Sequence, residues 1–156
     1  MASFQVQIRD GAYNKVSSDK ADYVLTDLDL VKTYYPRIDL EDLSKLRIVL
    51  VAMGIQSDRD RTLRNTSPIS LIVPVQIAIQ QKVSPSDTTY IDKLVELSEQ
   101  VQASLEDDEL VTGEKFSWSS TAPLKDENDL IFSYEQLTTE GVFQSIFTAT
   151  YNYIKQ

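Results

Sequence analysis

Two stretches of this chain alternate apolar and polar residues too regularly for a helix, and they limit what everything else can form. In "VPVQIAIQQKV" Val73, Val75, Ile77 and Ile79 fall on one side, and Pro74, Gln76, Ala78, Gln80 and Lys82 on the other. In "GVFQSIFTATYNYIK" Phe143, Ser145, Phe147, Ala149, Tyr151 and Tyr153 share one side, while Val142, Gln144, Ile146, Thr148, Thr150, Asn152 and Ile154 share the other. A period of two sends successive side chains to opposite faces of a strand. Both segments are therefore expected to be long strands, half-buried in the first case and largely amphipathic in the second. The aromatic row of the second reads as core in preference to a binding face, because aromatic alternation in a strand most often supplies packing. Proline cannot donate to a ladder, so Pro74 is expected at the beginning of its strand, at an edge or at a bulge.

The other elements follow from weaker patterns. Residues 3 to 17 put Phe4, Ile8, Ala12 and Val16 at steps of four, one helical stripe interrupted by Gly11. From 22 to 35, "DYVLTDLDLVKTYY" sets Val24, Leu28, Leu30 and Tyr34 at even positions with Thr26 and Lys32 between them, which predicts a long strand ended by Pro36. "LRIVLVAM" is apolar without a break from Ile48 to Met53, as in a strand covered on both faces or a short buried helix, and its β-branched content and the Gly54 stop favour the strand. The aperiodic, charged stretch 54–68 reads as an exposed loop. In "SPSD" Ser84 is placed as N-cap, Pro85 at the first helical position and Asp87 near the capping-box acid, which predicts a helix over Pro85 to Leu105. Its buried face is Ile91, Leu94, Val95, Ser98, Val101 and Leu105, and "EDDE" ends it. "EKFSWSS" reads as a further strand and "APLKDEND" as a loop. Helix, three strands, helix and two strands imply an α+β fold: a mostly antiparallel sheet of about five strands with two main helices packed on one face. At 156 residues the chain is expected to form a single domain, 1–156.

The chemistry open to such a chain is narrow. It contains no histidine and no cysteine, which removes Ser-His-Asp and Cys-His catalysis, disulfides and the usual zinc and iron sites. Four glycines leave little room for a phosphate-cradling loop, and no Walker or dinucleotide pattern occurs. The net charge of -9 opposes loose binding to a phosphate backbone. Asp27 and Asp29, and the run Glu106 to Glu109, offer hard oxygen ligands, but without the turn glycine and spaced acids of a calcium loop they read as solvated surface. The expectation is no catalytic residue, no metal and no cofactor. "MASFQVQIRD" lacks the apolar core of a secretory signal, and no run of about 18 apolar residues occurs, so no membrane partner is expected. One charged cluster stands out: Arg59, Asp60, Arg61 and Arg64, in "SDRDRTLRN". Guanidinium forks suit carboxylates or phosphates on a partner, against the plainer reading of a self-neutralising solvated loop.

Several segments, in order, resemble the tail terminator or tail-completion proteins of long-tailed bacteriophages and prophages. They are the N-terminal helix, "TYYPRIDLEDLSKLRIVLVA", the arginine-containing loop, "VPVQIAIQQKV", "IDKLVELSEQVQASL" and "NDLIFSYEQLTTEGVFQSIFTATYNYI". The likeness spans nearly the whole chain, and none of its pieces is a catalytic signature. It implies a virion structural protein of the neck and tail, assembled in the bacterial cytoplasm. Such a subunit forms a homo-oligomeric ring, commonly a hexamer, that caps the tail tube and joins it to the head-completion or stopper protein. DNA would pass through without specific binding, and the arginine cluster would lie at a subunit or partner contact. Two alternatives are a head-side connector or stopper protein of the neck and a small carboxylate-dependent hydrolase.

Overall fold

The computed structural model describes residues 3–34, 44–57, 69–111 and 116–155. Its elements are α1 (Phe4–Asp19), β1 (Asp29–Thr33), β2 (Arg47–Ala52), β3 (Gln56–Ser57), β4 (Ile69–Lys82), α2 (Thr88–Leu105), β5 (Phe116–Pro123), α3 (Tyr134–Glu140) and β6 (Val142–Lys155). One sheet in the order β1-β2-β4-β6-β5, with β3 beside β4, makes this an α+β protein. Every pairing is antiparallel except β1 with β2, which is parallel.

The two alternating segments are the centre of the sheet. β4 and β6 pair without interruption from Ile69↔Lys155 to Lys82↔Val142. Val73, Val75, Ile77 and Ile79 on β4 and Phe143, Phe147, Ala149 and Tyr151 on β6 turn to the same side and are wholly buried. α1 and α2 cover that side, and their buried residues join the same core. The Tyr151 hydroxyl donates to the carbonyl of Leu105 at the end of α2, tying the central strand to the helix above it. Burial pushes the phenol's pKa well above its ordinary value, assisted by Asp107 and Glu106. Gly11 has a packing reason: a β-carbon there would lie 2.7 Å from the carbonyl oxygen of Leu110, so α1 approaches this loop only without a side chain.

Pro74 lies inside β4 at an irregularity of the neighbouring ladder, where three residues, 53–55, stand opposite 73 and 74, one of the places the sequence allows a strand proline. β2 meets β4 at residues 75–80 and β3 meets it at 71–72. Pro74 falls between them, where β2 has ended and β3 has not begun, so the proline occupies a gap in one ladder while the other runs on.

Three expectations are corrected. The long strand over 22–35 is only Asp29–Thr33; a short 3-10 turn covers Lys20–Asp22, and the Val24 N–H donates to the Gln100 side chain at 2.8 Å in place of a sheet bond. The alternation there reflects burial of Leu28 without strand pairing throughout. Second, α2 begins at Thr88, not Pro85: Ser84 to Asp87 form a turn closed by Asp87 N–H to the Ser84 carbonyl (3.0 Å), and Asp87 caps the helix by accepting from the Tyr90 N–H (3.3 Å). Pro85 suits the second position of a turn as well as it suits a first helical turn. Leu97 joins the buried face, and Val95 lies half-buried at its border. Third, α3 falls where no element was expected. Its signal is present in "SYEQLTTEG": Ser133 caps the Gln136 N–H at 3.2 Å in a Ser-x-x-Gln capping pattern, and Gly141 ends the helix at φ 66°.

Candidate assembly surface

The acids singled out by sequence are used locally. Lys45 reaches Asp29 at 3.1 Å and Asp27 at 3.4 Å, and these contacts, the hydrogen bond to Asp29 foremost, raise the lysine's pKa. Asp108 accepts the Trp118 N–H at 2.9 Å, Asp107 lies 3.8 Å from Lys15, and the Glu109 N–H returns to Asp107 at 2.8 Å. Among the described residues no group of three or more acids is arranged to hold a metal ion. Arg59, Asp60, Arg61 and Arg64 lie outside the described residues, as does the rest of 58–68. No helix among the described residues is long and apolar enough to cross a membrane.

The side of the sheet away from α1 and α2 has a different composition. Its side chains form transverse rows fixed by strand register. One row is Asp29, Arg47, Gln80 and Gln144. The Arg47 guanidinium donates to Gln80 Oε1 at 2.9 Å from Nη2. Gln80 Nε2 and Gln144 Oε1, on directly paired residues, are buried without hydrogen-bond partners. The next row is apolar: Val31, Val49, Ala78 and Ile146, in register across four strands, and then Leu124, whose N–H bonds the Ile146 carbonyl at 2.8 Å. Beyond it come Thr33, Val51, Gln76, Thr148 and Ala122, then Pro74, Thr150 and Ser120. From the apolar row to Asn152 and Ser117, no described residue on this face carries a charge, in a chain that is 25% charged.

At the β5 margin of this face lies a groove of about 290 Å³, bounded by Leu124, Phe132, Ile146, Ser133, Gln136 and Gln144 together with the charged Lys125 and Asp126. The loop beneath is held by Asp126, whose carboxylate accepts the N–H groups of Asn128 (2.8 Å), Leu130 (3.0 Å) and Tyr134 (3.2 Å). These bonds, that of Leu130 foremost, lower its pKa. Two larger clefts, of about 420 and 590 Å³, lie around Lys45 and around Tyr23 with Ser104. The first contains the Lys45–Asp27 ion pair, and in the second Tyr23 and Ser104 bond each other at 2.7 Å.

Leu124 is the residue that sequence reading missed. It sits in "APLKDEND", which reads as plain loop, and only the register places it at the end of an apolar row. No family model matches the chain, and no curated protein matches it.

Proposed function

We propose that this chain is a structural subunit of a bacteriophage neck and tail, a tail terminator that closes into a ring on the tail tube and joins it to the head-completion protein. The observation that carries the reading is the face of the sheet away from α1 and α2. Among the described residues of this acidic chain it carries no charge from the Val31–Leu124 row to Asn152 and Ser117, and Thr148, Thr150 and Asn152 are half-buried there. Depletion of charge marks the centre of protein contacts. The order of the segments that resemble tail terminators supports the same reading. A head-side connector is the competing assignment within the neck.

Co-sedimentation distinguishes them. The protein should pellet with purified tail tubes and not with portal-bearing capsids that lack tails. Binding to capsids alone would reassign it to the head side, and binding to neither would remove the reading.

A further inference from the structure

We draw no further inference here: the strongest candidate, the groove at the β5 margin lined by Leu124, Phe132 and Ile146 together with Lys125 and Asp126, carries nothing because nothing in the structure shows what covers it or its exposed Leu124.

Discussion

The side of β6 beneath the helices buries Phe143, Phe147 and Tyr151 completely, while the opposite side of the same strand holds Gln144, Ile146, Thr148, Thr150 and Asn152 only half-buried. The first side is a core of ordinary kind: large rings, aliphatic partners from β4, and one tyrosine whose hydroxyl finds a carbonyl. The second is neither core nor ordinary surface. It is too polar for a core, with unpartnered amide atoms on Gln80 and Gln144, and beyond the row of Asp29 and Arg47 its described residues carry no charge as far as Asn152 and Ser117. The difference separates two tasks within one strand. One face holds the fold together, and the other is the surface on which the proposed assembly rests.

The comparison can be broken most severely at Phe147. Removing this ring should destabilise the fold by about 3–5 kcal/mol, since the site is closed on all sides by strand and helix. Denaturant unfolding of Phe147→Ala with an unshifted midpoint would mean that the helix-covered face is not the core. Tyr151→Phe should cost less, about 1–3 kcal/mol, because the Leu105 carbonyl loses its donor while the packing remains. The core also contains a flaw that sharpens the contrast. Ser145 is fully buried with its hydroxyl unpartnered, so Ser145→Ala should raise stability by about 1 kcal/mol, read as a higher unfolding midpoint.

On the opposite face the same measurements should barely move. Thr148→Lys with Thr150→Lys, at half-buried positions where long stems reach solvent, should change stability by no more than about 0.5 kcal/mol. Co-sedimentation with tail tubes should nevertheless be lost, whereas Glu99→Lys on the exposed side of α2 should leave it intact. Equal effects of the two charge changes would erase the distinction between the faces. The smallest expected effect is at the Asp126 loop. Its carboxyl is held below the ordinary value, so its contribution is complete above the unfolded-state pKa, about 4, and is lost as pH falls through the lower folded value. Asp126→Asn should therefore differ from the parent near neutral pH and converge with it in strong acid, seen by amide exchange of Leu130 and Tyr134.

Most of the core was legible because alternation in β4 and β6 records burial directly: on the closed face every second residue of Val73–Ile79 and of Phe143–Tyr151 is apolar except Ser145. Pattern failed where burial and pairing part company. Leu28 is buried without lying in a strand, and the signals of "SPSD" fit a turn as well as a helix start. The candidate surface was less legible for a different reason. Val31, Ala78, Ile146 and Leu124 are far apart in sequence and become a row only through strand register, which no local spacing encodes. The one charged cluster that could be read locally, Arg59 to Arg64, lies outside the described residues.

The central claim is that this chain is made to assemble, and its molar mass in solution tests it most directly. Sedimentation equilibrium over a wide concentration range, alone and with tail tube protein, should give a closed multiple of the 17.7 kDa subunit. Six copies would give about 106 kDa, the size of the commonest ring of the family it resembles. A constant 17.7 kDa under both conditions would contradict the account.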